Sequence, residues 1–479
     1  MINCQLDEKI RGWIQEHRAE LTEQWMDLVR VPSVGSDGVP GAPYGEACVK
    51  VLELAGSYFS KEGFEVTVEA GNHYAYADRH AGEKTIGIFS HCDVVPADDG
   101  WIYTKPFEPI IKDGYMIGCG CSDDKSGVMI ALAAMRIIKE LDLPVKSSIR
   151  TFLGPAEEIR MPDIALYNKQ EKMPDLSLVP DSAFPCCLGE KTIYRFKAEC
   201  VRPLEAVLDF NGGIAQNVVL EKATVVLRNL AGLAEELSAL IEGKKEYTLE
   251  TVGDTLVLKT FGAPKHAAHP EGSVNGAVLA AAVLKECQTL PQADRECMAQ
   301  LYGWIADYYG GGFGIAFEDE AFGKLTASNG LVWTREGHMA FGMDIRFGPA
   351  LDHLKTEAEV TELLKKAGWE MTYVLNRKGY RNDPASPIPA TLTGIYNEIT
   401  GLQTKPYYMA GGTYARTLQN AFVVGVAAYD PDSKAVRPEM PAGHGGAHQR
   451  DETISVDWHF QAVRVMVHYL LACDEYLNG

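Results

Sequence analysis

Hydrophobic positions in the first part of the chain come in two alternating textures. Short apolar runs with β-branched residues, "KTIGIFS" (84–90), "SIRTFLG" (148–154) and "LSLVP" (176–180), have the length and bounding turns of buried strands. Between them, "KSGVMIALAAMRIIKEL" (125–141) has the length and spacing of a helix. Residues 7–30 and 46–61 read as two earlier helices, separated by the Gly- and Pro-rich loop "VPSVGSDGVPGAP". This alternation predicts an α/β domain whose mixed, largely parallel sheet is flanked by helices. From about Lys191 the texture changes. "IYRFKAEC", "ATVVLRNL" and "DTLVLKTFG" alternate faces like half-buried strands, interleaved with the helical "LAGLAEELSALIE" and "GAVLAAAVLKECQTL". After Gly379 the first texture returns, with a helix closed by Gly401, the strand-like "FVVGVAAY" and a long amphipathic helix over 456–477. The expected layout is one α/β domain built from residues 1–190 and 379–479, interrupted by an α+β domain over 191–378.

Composition narrows the function classes. Lys plus Arg number 45 and Asp plus Glu 65, a net charge of −20 over 479 residues. That balance opposes broad binding to nucleic acid or to an anionic membrane. The first residues carry no apolar signal region, and no apolar run is long enough to span a bilayer. Eleven scattered cysteines without a C-x-x-C fit reduced thiols, so a cytoplasmic location is expected.

The candidate chemistry sits at predicted strand ends, where ligands collect in open α/β sheets. His91 and Asp93 open "HCDVVPADDGW" directly after the first strand. His91 is either a metal ligand oriented by Asp93 or a partly buried strand end beside a turn residue. Asp123 and Asp124 stand at the mouth of the 125–141 helix, where an acid also serves as a simple cap. Glu157 and Glu158 follow the second strand, and Asp181 follows the third. Far downstream, "GHGGAHQRDE" carries His444 and His448 in a Gly-rich loop. Singly, each position has an ordinary structural role. Together, two histidines and three carboxylates, one of them shared, are what two zinc ions about 3.5–4 Å apart require.

In order and context these blocks resemble the di-zinc metallopeptidase family of Xaa-His dipeptidases, carnosinases, aminoacylases and succinyl-diaminopimelate desuccinylases. The long insert is closest to the dipeptidase branch, whose lid lets one chain supply the whole site. The resemblance implies His91, Asp123 and Asp181 around one metal and Glu158 and His448 around the other, with Asp123 bridging. It implies that Asp93 orients His91 and that Glu157 is the general acid/base. Two zinc ions and three carboxylates leave one positive charge, which a zinc-bridging hydroxide matches. Manganese or cobalt suits the same donors. In the insert, "GGIAQNVV" resembles a segment whose Asn contacts substrate, here Asn217. "GAPKHAAHPEG" resembles the segment whose His polarises the scissile carbonyl, here His266, with His269 its nearest decoy. "MDIRFG" supplies Arg346 as a clamp for a substrate carboxylate, and "GGTYAR" places Gly411, Gly412 and Thr413 in a loop lining the substrate pocket. The sequence departs from the family at Cys119, where Arg is usual, and at Ser126, where Gly is usual.

The implied protein is a monomeric, cytoplasmic metallo-dipeptidase acting on small peptides with a free C-terminal carboxylate. The nearest alternative is an N-acyl amino acid amidohydrolase of the aminoacylase or desuccinylase type, which shares the zinc chemistry but typically has a shorter insert. A serine hydrolase would use the S-x-x-K of residues 122–125, but neither K-T-G nor G-x-S-x-G accompanies it. A catalytically silent scaffold would be expected to lack Glu157 or a ligand, and all are present.

Overall fold

The computed structural model describes residues 2–479, which divide into two compact units. The first comprises residues 2–189, Asn382–Tyr407 and Thr413–Gly479; the second comprises Glu190–Arg381 and Tyr408–Gly412.

At the centre of the first unit four strands run parallel, in the order Ser148–Gly154, Thr85–His91, Leu176–Ser182 and Ala421–Gly425. Ala75–Arg79 and then Glu65–Val68 extend the sheet antiparallel on the Ser148 side. The central strands are almost wholly buried, which explains their unbroken apolar sequences. The helix Lys125–Glu140 is buried on nearly every face, between the sheet and the helices Cys4–Arg30 and Val456–Asn478. The helix Pro387–Thr400 ends where Gly401 turns left-handed at φ 73°. Parallel strands carry all their carboxyl ends to one edge, so His91, Asp181 and the segment after Gly154 emerge side by side.

The second unit is built on an eight-stranded, wholly antiparallel sheet. Its strands follow the order Tyr247–Val252, Thr255–Phe261, Lys222–Arg228, Val207–Gly212, Thr326–Arg335, His338–Phe347, Thr192–Cys200 and Trp369–Arg377. Alternating burial along Lys222–Arg228 and Thr255–Phe261 marks a sheet with one covered face. The core packs helices such as Gly276–Leu284 and Gln292–Ile305 on that face, with Trp304 stacked on Phe341 and edge-on to Trp369. Among the described residues no helix is long and apolar enough to cross a membrane, and all eleven cysteines are free.

Candidate active site

His91 ends its strand fully buried, with its ring fixed from both sides. Nδ1 lies 3.0 Å from the main-chain oxygen of Asp93 and 3.4 Å from its carboxylate, so Nδ1–H is the donor and Nε2 offers its lone pair. Nε2 faces Asp123 Oδ1 at 3.0 Å and Asp181 Oδ1 at 3.9 Å. The Asp93 carboxylate has a second task that its spacing from His91 does not announce. Its two oxygens accept the backbone N–H groups of Glu157 and Glu158, each at 3.0 Å.

The adjacent aspartates divide their roles. Asp124 caps the Lys125–Glu140 helix through the N–H of Gly127 and accepts the backbone N–H of His91 at 3.2 Å. Asp123 is thereby left to face the cluster. Its Oδ1 meets His91, and its Oδ2 lies 3.1 Å from His448 Nε2, which is 2.8 Å from Glu158 Oε1. Two sets of possible ligands result, His91–Asp123–Asp181 and Asp123–Glu158–His448, and within each the donor atoms lie within 4.8 Å of one another.

Burial pushes the carboxyls of Glu157, Glu158 and Asp181 above the usual range. Asp123 moves the other way: hydrogen bonds to His448 and His91 outweigh its burial and hold it below that range. The same bonds, working against burial, raise His448 to about 11. Among the described residues no Lys or Arg pairs with any of these four acids. Glu157 Oε1 is buried without a hydrogen-bond partner. Carboxylate oxygens and imidazole nitrogens crowded without a basic side chain are a donor set suited to divalent cations.

Glu452 is a site residue that motif reading missed. It is buried and accepts the backbone N–H groups of Gly120 at 2.7 Å, Ser122 at 2.8 Å and Asp123 at 3.0 Å. Burial and the nearby Asp123 charge push it up to about 7. It fixes the Asp123 backbone from the far end of the chain; its place four residues after His448 was the available signal. A cavity of about 320 Å³ opens beside His448 and is lined in part by Trp101, Cys119, Arg450 and Glu452. Ser126 is buried and donates to the Ser122 carbonyl at 2.6 Å.

Gly154 shows how tightly this edge is packed. A Cβ there would lie 1.9 Å from Tyr414 Oη and 2.6 Å from Asp163 Oδ2, two atoms that share a 2.5 Å hydrogen bond. Gly154→Ala is expected to cost about 1–3 kcal/mol through overpacking, read as a lower thermal midpoint.

The remaining candidates fall in the second unit, except Thr413, which belongs to the first and caps the turn that starts at Tyr414. Arg346 is buried; its Nε and Nη2 donate to Asp344 and its Nη1 to the Ala410 carbonyl at 2.7 Å. Asp344, fully buried, also accepts from Arg195 at 2.7 Å and so holds the guanidinium in place. Gly411 and Gly412 follow Ala410 directly. The main-chain carbonyl of Asn217 accepts the Ala267 N–H at 2.8 Å, and its neighbour Val218 forms a bridge with His266. His266 has an edge open to solvent, yet partial burial and the Arg346 charge lower its pKa to about 4. Its Nδ1 accepts the Ala268 N–H at 3.3 Å, which leaves the proton on Nε2. His269 lines a different cavity.

An acid–histidine cluster at the mouth of a parallel sheet, with two sets of ligands sharing one aspartate, has the donor chemistry of a metallohydrolase. A model of peptidase family M20/M25/M40 matches residues 87–472, and the chain belongs to that family. It is thus a hydrolase acting on peptide bonds, in a family that typically depends on two metal ions. Two bacterial proteins named "Putative dipeptidase" are similar along most of their length. YtjP of Bacillus subtilis strain 168 is 26% identical over 458 residues, covering 92% of this chain and 94% of its own. The Staphylococcus epidermidis protein is 26% identical over 432 residues, covering 86% and 90%. Human carnosine dipeptidase 1 shares the fold with a TM-score of 0.60 at 13% identity, over 98% of this chain and 99% of that one. The dipeptidase Dug1p of Saccharomyces cerevisiae does so with the same TM-score and identity, over 98% of each chain.

Proposed function

We propose that this protein is a metal-dependent dipeptidase that requires a free C-terminal carboxylate. The observation that carries the metal chemistry is Asp123, whose two oxygens face two different sets of ligands. His91, Asp123 and Asp181 would hold one divalent ion, and Asp123, Glu158 and His448 the other. Zinc is proposed, with manganese or cobalt able to replace it. When bound, the pair supplies Lewis acidity that makes a water nucleophilic near neutral pH.

The chain's own groups do the rest. Glu157, buried and short of hydrogen-bond partners, takes the proton of the attacking water and passes it to the leaving amine. Asp93 holds the His91 ring and the Glu157–Glu158 backbone at once. His266 is neutral at pH 7 and donates its Nε2–H to the scissile carbonyl oxygen, with Asn217 beside it. Asp344 and Ala410 occupy three N–H groups of Arg346, leaving one on each Nη for the substrate carboxylate. Gly411, Gly412 and Thr413 are assigned to substrate binding by the resemblance of their loop. The first unit is accordingly the catalytic domain and the second the lid domain.

Purified protein is expected to lose activity on chelation and regain it with zinc, manganese or cobalt. Dipeptides should be cleaved in preference to N-acyl amino acids in the same screen. Full activity in a sample that elemental analysis shows to be free of transition metal would overturn the metal assignment, and preferential N-acyl cleavage would favour the amidohydrolase reading.

A further inference from the structure

The second unit contains a cavity of about 300 Å³ that the chemistry above leaves unused. It is at the small end of ligand pockets, sized for one side chain rather than a length of peptide. Its lining includes Lys191, His269, Lys324, Thr326, Tyr408 and Ala410.

Two buried polar groups in this lining lack full partners. Lys191 is only 7% exposed and has no ion pair among the described residues. Its Nζ donates one hydrogen bond, to the Lys324 carbonyl at 2.7 Å, although an ammonium carries three protons. Its backbone is pinned by the Met409 carbonyl at 2.9 Å. Thr326 is 2% exposed, and its hydroxyl has no hydrogen-bond partner. A buried ammonium beside an unsatisfied hydroxyl favours an anion that can accept from both. The other charges in the lining are the exposed Lys324, whose ammonium lies 4.8 Å from the Tyr309 ring centre, and the exposed Glu271.

Position supplies the rest. Ala410 lines the cavity, and its carbonyl is the one that Arg346 Nη1 holds at 2.7 Å. Burial lowers the pKa of Lys191, against the charge of Glu271, which raises it; the Arg346 charge lowers it and that of Asp319 raises it. In a C-terminal residue the side chain and the carboxylate leave the same Cα. A carboxylate held at Arg346 therefore leaves its side chain within reach of this cavity.

We propose that the Lys191 cavity receives the side chain of the substrate's C-terminal residue and selects a carboxylate there, making dipeptides that end in Asp or Glu the preferred class. This rests on the dipeptidase reading above. Lys191 Nζ–H and the Thr326 hydroxyl donate to the side-chain carboxylate, while Arg346 holds the terminal one. A neutral amide of the same shape satisfies the ammonium less well, and an aliphatic side chain leaves it unpaired.

The test compares kcat/KM for Ala-Glu and Ala-Gln on the metal-loaded full chain. The wild type should prefer Ala-Glu by about tenfold or more, the scale on which a site built for a polar group rejects a poorer partner. Lys191→Met should bring the ratio close to one, Lys191→Arg should preserve most of it, and Thr326→Val should lower it. Thermal midpoints identify a variant that fails to fold. Should Lys191→Met be such a variant, the wild-type ratio and Thr326→Val decide. Equal cleavage of the two substrates by the wild type, or a ratio unmoved by Lys191→Met and Thr326→Val, overturns the pocket and leaves the dipeptidase reading standing. Failure to cleave any dipeptide overturns both.

Discussion

Glu157→Ala is expected to lower kcat by about 10²–10⁴-fold, the usual contribution of a general acid/base, while its metal content stays at the wild-type level. Glu158→Ala is expected to lose metal. The two glutamates are neighbours in sequence, and Asp93 anchors both backbones, but their side chains have different surroundings. Glu158 reaches His448 at 2.8 Å, within one set of ligand atoms. Glu157 is more deeply buried, one of its oxygens has no partner, and burial keeps its carboxyl well above the usual range. On the proposed reading, a carboxyl shielded from water with one oxygen free is placed to take a proton from the attacking water and pass it to the leaving amine. Elemental analysis and steady-state kinetics on the same preparations separate the roles. Equal metal loss in the two variants would show that the division is wrong.

Arg346→Ala is expected to cut kcat/KM for a dipeptide by about 30-fold to several thousand-fold, equivalent to about 2–5 kcal/mol for removing one partner of a buried charge pair. The wild type should discriminate by a similar factor against the same dipeptide carrying a C-terminal amide. Asp344 keeps Arg195 as a partner in the variant, so the loss reports mainly on the substrate's carboxylate. Measuring acid and amide on both proteins closes a double-mutant cycle. Strong coupling supports the clamp, and equal cleavage of acid and amide by the wild type removes it.

The elements around the cluster were legible where burial dictates composition. The strand Ser148–Gly154 and the helix Glu46–Lys61 have the bounds that apolar patterning predicts, because one is enclosed on both faces and the other along a continuous stripe. Leu176–Ser182 runs two residues further than its apolar run, since the sheet carries Asp181 and Ser182 within the strand. The strand order of the second unit was not legible. Thr192–Cys200 lies between His338–Phe347 and Trp369–Arg377, a pairing set by distant segments rather than by local pattern. The site was unevenly visible for a related reason. His91, Glu157, Glu158 and Asp181 announce themselves as reactive residue types at strand ends. By residue type and position Asp123 and Asp124 are alike, both acids at a helix mouth; the family resemblance singles out Asp123, and the backbone shows that Asp124 is the one that caps the helix. Asp344 and the second task of the Asp93 carboxylate consist in holding another side chain or main chain, which leaves no spacing pattern; for Glu452 the signal is its place four residues after His448.

The Asp123 segment is held by Glu452, and the central sheet is completed by Ala421–Gly425 lying parallel to Leu176–Ser182. During synthesis the ribosome therefore releases His91, Asp123, Glu158 and Asp181 long before the strand and the glutamate that organise them exist. Both segments of the second unit, Glu190–Arg381 and Tyr408–Gly412, are made in the interval, and the larger is a run rich in hairpins that can fold first. The first unit is complete only when the last sixty or so residues, from Ala421 onward, have been made. On the proposed metal assignment, cation capture is a late event in biogenesis, and a chain truncated before His448 carries four of the five assigned ligands without a place to hold them.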